Sequence, residues 1–335
     1  MERDLLGPTM LITSALPSAR SPITRRGFVS AAAVMLAGCS PAPTPRLRIG
    51  TLTFPGYEPL FLARSLGKLD GKRVHLIEFP SAAEALLAFK NEAIDGLTVT
   101  LDDVLRLAQG GHEPRIVLML DYSNGADMVL AKQGIENLDA LRGKRVGVET
   151  NTLGTFMLGR ALESQGMKFA DILPISLRAD RLEGAFHRGE VDAVVTYEPF
   201  ASRLIARGAR SIFDSSGMKE EIADVLVFRR KVIDSQRENI KLTMAGWFEA
   251  LNYIRDNPQD AATRMAPREA LTTEQFSAAL KLVHIYTREE NNKLLGPADE
   301  SLINKLRTLA AFMETQKMLP PGTDVSTLRE PSFLQ

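Results

Sequence analysis

Two short motifs occur twice in this 335-residue chain, in the same order and the same setting. Gly71-Lys72-Arg73-Val74 returns as Gly143-Lys144-Arg145-Val146, and Ala93-Ile94-Asp95-Gly96-Leu97 returns as Glu190-Val191-Asp192-Ala193-Val194. Each copy of the second motif follows a helical stretch and opens a β-like run. Such runs, alternating with amphipathic helices, argue for a parallel sheet, because a parallel connection needs a crossover and the helix supplies it. Two copies are too few for a solenoid; they describe two doubly wound lobes of like design.

The local signals agree with that frame. Leu47–Thr51 reads as a strand and Phe54-Pro55-Gly56-Tyr57 as a turn. Residues 58–66 follow as a helix, with Pro59 in the first turn, where a missing N–H costs nothing, and Gly67 as the stop. Residues 74–79 form a strand, Ser81 and Glu84 a capping box ahead of Leu86, Leu87 and Phe89, and 94–99 the next strand. In the second half the matching helix starts near Asp180, with Glu183 as its capping partner. The β-like runs 116–122 and 223–228 read as strands that cross between the lobes. Beyond Asp234 the pattern is helical over 238–255, 273–287 and 299–316, and these helices are expected to pack on the lobes. Lobe 1 is thus expected over 46–122, completed by 226–335, and lobe 2 over 123–225.

The first 45 residues follow a different logic. Arg25 and Arg26 precede an apolar stretch, 28–37, which is shorter than the ~20 residues that span a bilayer and suits the apolar region of an export signal. It ends in Leu36-Ala37-Gly38-Cys39, which looks like a lipobox with Cys39 as the lipidated residue. Thr24-Arg25-Arg26-Gly27-Phe28-Val29 resembles a twin-arginine motif; a Sec-type signal and a start at Met10 stay open. Residues 1–39 are read as the signal and 40–45 as a Pro-rich tether. Such an anchor carries more than one acyl chain, enough for stable attachment, which places the body outside the cytoplasm, periplasmic or on the cell surface. Cys39 is the only cysteine, so the body has neither a disulfide nor a catalytic thiol. Lys plus Arg and Asp plus Glu both number 41, a zero formal net charge that argues against nucleic acid as a partner.

Ligands on open α/β sheets bind outside the C-terminal ends of the strands. That rule selects residues 51–57, 98–103, 149–155 and 196–199, which line one cleft if the lobes face each other. Their side chains combine aromatic walls with a few polar groups, the make-up of a small-molecule pocket. The candidates are Phe54, Tyr57, Thr98, Asp102, Asn151, Thr152, Gly154, Tyr197 and Glu198. Helix N-termini near Gly56 and Gly154 are expected to offer N–H groups to an anion. Each candidate also has a plainer role open to it: Tyr57 as packing, Asp102 and Asp103 as helix caps, Tyr197 and Glu198 as a turn. No nucleophile elbow, phosphate loop or dinucleotide fingerprint occurs, and the four histidines lack metal-ligand spacing. No enzyme activity, cofactor or metal is expected.

Gly56-Tyr57-Glu58-Pro59-Leu60-Phe61-Leu62-Ala63-Arg64, Ile94-Asp95-Gly96, Leu141-Arg142-Gly143-Lys144-Arg145-Val146-Gly147 and Val191-Asp192-Ala193-Val194-Val195-Thr196-Tyr197-Glu198-Pro199-Phe200 resemble, in order, the substrate-binding proteins of nitrate/sulfonate/taurine-type ABC importers. That family includes binders of thiamine pyrimidine precursors. The resemblance covers about residues 47–260. It implies a two-lobe periplasmic-binding-protein fold of two doubly wound sheets joined by crossing-strand hinges. It also implies a protein that traps one solute and delivers it to a permease and ATPase in the inner membrane; nothing in the sequence indicates more than a monomer, and oligomeric state stays open. The acidic and aromatic candidates leave the ligand open between a sulfonate, nitrate or taurine and a neutral or cationic heteroaromatic such as a pyrimidine. A sensory lipoprotein without a permease and a pyrimidine-synthase-like relative are the alternatives.

Overall fold

A computed structural model of the protein describes residues 45–218 and 220–333. The export signal, Cys39 and tether residues 40–44 lie outside the described residues. The chain opens with β1 (Leu47–Thr51), a 3-10 turn (Pro55–Tyr57), α1 (Glu58–Ser65), β2 (Val74–Glu78), α2 (Ala82–Lys90), β3 (Gly96–Thr100), α3 (Leu101–Gln109) and β4 (Pro114–Ser123). It crosses into β5 (Asp127–Ala131), β6 (Arg145–Val148), α4 (Leu153–Glu163), β7 (Leu173–Ser176), α5 (Ala179–Arg188), β8 (Ala193–Tyr197), α6 (Phe200–Ile205) and β9 (Arg210–Asp214). It returns through β10 (Ala223–Arg229) and continues as α7 (Arg230–Ser235), α8 (Arg237–Asp256), α9 (Pro258–Met265), α10 (Thr273–Leu280), β11 (Val283–Ile285), α11 (Arg288–Leu294) and α12 (Ser301–Thr315).

The strands form two sheets, ordered β11-β4-β10-β3-β1-β2 and β7-β6-β8-β5-β9. Each sheet with its flanking helices forms a lobe. The repeated motifs do the same job in both. Asp95, just before β3, binds the backbone N–H of Arg48 (2.9 Å) and its guanidinium (2.7 Å) at the start of β1. Asp192, just before β8, binds the N–H of Arg145 (3.0 Å) and its guanidinium (2.8 Å) at the start of β6. Each aspartate locks the register of a parallel pair, β1 with β3 and β6 with β8.

The sheets are mixed rather than wholly parallel. β10 runs antiparallel between β3 and β4, and β5 runs antiparallel to β8. The cause is the crossing. A strand arriving directly from the other lobe enters at the cleft, where β3 and β8 end, so it runs against them.

Some helix ends follow their expected caps and others do not. Gly67 adopts φ +71° after α1, a conformation glycine takes without a Cβ penalty. Ser81 accepts from the N–H of Glu84 at 3.3 Å, but Glu84 pairs with Arg178 of the other lobe instead of closing the box. The expected Asp180–Glu183 cap does not form either: Asp180 pairs with Arg178 (2.7 Å) and Glu183 with Arg203 (3.1 Å). The helix expected over 273–287 stops at Leu280, because Val283–Ile285 pairs with the edge of β4. Sheet pairing overrides the helical pattern where β-branched residues reach an open edge.

The C-terminal helices pack on the lobes. α8 lies on α1 and buries Trp247 completely. α12 packs on α3 and also reaches lobe 2, where Phe312 meets Phe156 of α4 edge-on at 5.5 Å. Among the described residues no helix is long and apolar enough to cross a membrane.

Candidate ligand-binding cleft

The ends of β3 and β8 and the beginnings of β5 and β10 meet around a cavity between the lobes. Its volume is about 740 Å³, counting the space open to solvent at its mouth. Lobe 1 contributes Leu52, Leu86 and Val99 to an apolar wall, and lobe 2 contributes Leu153, Met157 and Val195. Strands supply the floor and helix starts the sides, so the lining is held by backbone hydrogen bonds rather than by free loops.

Of the nine candidates, Phe54, Tyr57, Thr98, Thr152, Gly154 and Tyr197 line the cavity. Phe54 meets Tyr57 and Tyr197 edge-on, at 5.2 and 6.1 Å between ring centres, so one aromatic wall spans both lobes. The Tyr57 hydroxyl donates to Asp224 at 2.7 Å, and burial pushes its pKa well up. Thr98 donates to Thr51 at 3.2 Å.

Asp102, Asn151 and Glu198 are placed off the lining. Asp102 accepts from Arg106 at 2.6 Å along its own helix, and the helical turn presents Asp103 to the cavity instead. Asn151 stands exposed at φ +60°. Glu198 turns back onto α6, accepting from the N–H (3.2 Å) and hydroxyl (2.9 Å) of Ser202.

The helix starts expected to seat an anion have polar groups of the protein's own beside them. Gly56 packs against Asp121; a Cβ there would stand 2.2 Å from Asp121 Oδ2. The Gly154 N–H donates to Thr152, the N-cap of α4, at 3.4 Å. Glu149 of lobe 2 sits at the start of α2 in lobe 1, accepting from the Ala83 N–H at 3.4 Å. Burial raises the Glu149 pKa, opposed by hydrogen bonds from Ala83, Ser81, Ala82 and Ala179.

The site residues that pattern reasoning missed are acidic. Asp103, Asp127, Glu149 and Asp224 line the cavity, whose lining among the described residues contains no Lys, Arg or His. Asp224 stands directly opposite Asp121 in the β4–β10 ladder, so both project from one face of the sheet. Asp121 is fully buried, and apart from the carboxyl of Asp224 no donor group reaches its oxygens. Burial first, and then Asp224, push Asp121 well up; burial also brings Asp224 to about 6. The pair behaves as two carboxyls sharing a proton. Burial raises Asp127 to about 7, offset in part by a hydrogen bond to Ser123. Asp103 is pushed up by burial and by Asp102, against Arg106. One signal in the sequence does point to these groups: Asp121, Asp127 and Asp224 are lone carboxylates in otherwise apolar β runs, and an unpaired Asp is rarely fully buried.

Two α/β lobes joined by two crossing strands, with a cavity at the strand ends, are a periplasmic-binding-protein fold. Within that class the chain belongs to the NMT1-like family, whose sequence model matches residues 40–268. The resemblance read from the motifs is thereby borne out. A protein of Escherichia coli (strain K12) named for binding aliphatic sulfonates is 26% identical over 257 residues, 76% of this chain and 78% of its own. The alkanesulfonate-binding protein SsuA from Xanthomonas axonopodis pv. citri, solved bound to MOPS, superposes with a TM-score of 0.72 at 20% identity, over 83% of this chain and 96% of its own. The desulfurization enzyme DSZB superposes at 0.63 with 15% identity, over 86% and 98%. At these identities the two solved structures share the fold, and the fold alone does not decide between binding and catalysis.

Proposed function

We propose that the protein is the extracytoplasmic solute receptor of an ABC importer. It captures one small organic solute between its lobes and hands it to a permease, with Cys39 as a lipid anchor to the membrane. The observation that carries this reading is the cavity. It joins both lobes, it lies where this fold opens and closes by hinge motion, and it is walled by aromatic and aliphatic side chains with a few convergent polar groups. The relatives named for sulfonate binding support the same role.

A thermal-shift screen of the purified protein against small metabolites tests the reading. A solute at one hundred times its dissociation constant stabilises the native state by about 2.7 kcal/mol. A clear rise in melting temperature with one chemical class is expected; no rise with any solute would remove the receptor assignment. Separately, Cys39→Ser is expected to shift the protein from the membrane fraction to the soluble one.

A further inference from the structure

The inference concerns the charge of the solute and rests on the reading of the cleft as a solute site. We propose that the cleft selects an organic cation: a compact solute whose protonated nitrogen bears N–H donors seated on Asp127 and Asp224, with an apolar body against Phe54, Leu86 and Met157.

Four observations lead there. The lining holds four carboxylates and, among the described residues, no basic side chain. An anion entering it would meet charges of its own sign; of the four carboxylates Asp103 has an ion-pair partner, Arg106 at 3.5 Å on the same helix. Two helix starts at the cavity carry polar groups of the protein's own, Glu149 at α2 and Thr152 at α4. The charges bearing on Asp127 are those of Asp224, Asp102 and Glu198, all carboxylates. Asp121, fully buried on the same sheet face as Asp224, meets no donor but the Asp224 carboxyl.

Buried carboxylates without a basic partner, as Asp127 and Asp224 are in the cavity lining, are costly to fold. A ligand cation resolves that cost on binding, because each N–H donor meets an acceptor and each acceptor gains a positive partner. A metal ion is a poorer match: among the described residues no three His, Cys, Asp or Glu side chains form a group that could hold one. The walls around the carboxylates are also apolar. Position adds a consequence. Asp127 opens β5 and Asp224 lies near the start of β10, so the cation would sit on both chain crossings and tie the lobes at their hinge.

Matched probes with one apolar body test this: benzylamine and benzamidine as cations, benzenesulfonate as anion, benzyl alcohol as the neutral control. Melting temperature and calorimetric titration of the purified protein at mildly alkaline pH are the readouts. The cations are expected to raise the melting temperature and the sulfonate and alcohol not to. Asp127→Asn is expected to weaken benzamidine binding at least about tenfold with an unchanged circular dichroism spectrum; Asp224→Asn repeats the test should the first variant misfold. Binding of benzenesulfonate without the amines, or equal binding of alcohol and amine, overturns the charge inference and leaves the receptor reading standing. Silence from all four probes overturns the inference as well; if a broad metabolite screen is also silent, the receptor reading falls with it.

Discussion

Asp127 shows how one residue trades stability for a site. Its carboxyl lies at about 7 in the fold against an ordinary 3.8, so folding favours the protonated form. The associated stability is fully present below about pH 4 and is lost as pH rises through about 7. Burial sets this first; Ser123 opposes it, and Asp224, Asp102 and Glu198 add to it. Asp127→Asn is therefore expected to stabilise the empty protein at pH 8 by on the order of 1–3 kcal/mol, and by much less at pH 5. Thermal melts at the two pH values check this; an equal effect at both would show that the carboxyl is not held protonated. Glu198 makes the opposite case. Its bonds to Ser202 cap a helix, so Glu198→Ala is expected to cost about 1 kcal/mol of stability, read from a urea midpoint.

At the scale of elements, the two crossings between the sheets are tied by serines. The hydroxyls of Ser123, at the end of β4, and Ser215, after β9, lie 2.6 Å apart. Ser215 also accepts from the N–H of Gly125 at 2.8 Å, and Ser123 accepts from that of Asp127 at 3.1 Å. The outgoing and returning chains thus share one buried hydrogen-bond knot beside the cavity. Ser215→Ala leaves the Gly125 N–H without that acceptor and is expected to cost about 1–3 kcal/mol, measured by urea denaturation. An unchanged midpoint would mean that strand pairing alone holds the crossings. This knot was not legible beforehand. Ser123-Asn124-Gly125 reads as a turn, but nothing local announces a serine 92 positions away as its partner.

For the whole molecule, the C-terminal helices pack on the lobes, and α12 touches both, on α3 and through Phe312 on Phe156. The single tryptophan sits in that packing, fully buried on α8 and away from the cavity lining. Its fluorescence is expected to report unfolding through a red shift and to stay unchanged on ligand binding; a shift on binding would place α8 in the closure. Much of this organisation is determined by the sequence itself. Strand and helix alternation, the paired Asp95 and Asp192 motifs, the helix stops and the loops that meet at the cleft all rest on periodicity, caps and glycine. Those forces act within a few residues. What only the tertiary structure decided is which side chains share the cavity. Asp103 faces it and Asp102 does not, although Arg106 reaches both, at 2.6 Å to Asp102 and 3.5 Å to Asp103. Asp127 and Asp224 reach it because crossing strands enter each sheet from the cleft. Tyr57 meets Asp224 across 167 positions of sequence. Burial against a distant segment depends on sheet register and lobe closure, and neither leaves a local pattern in the chain.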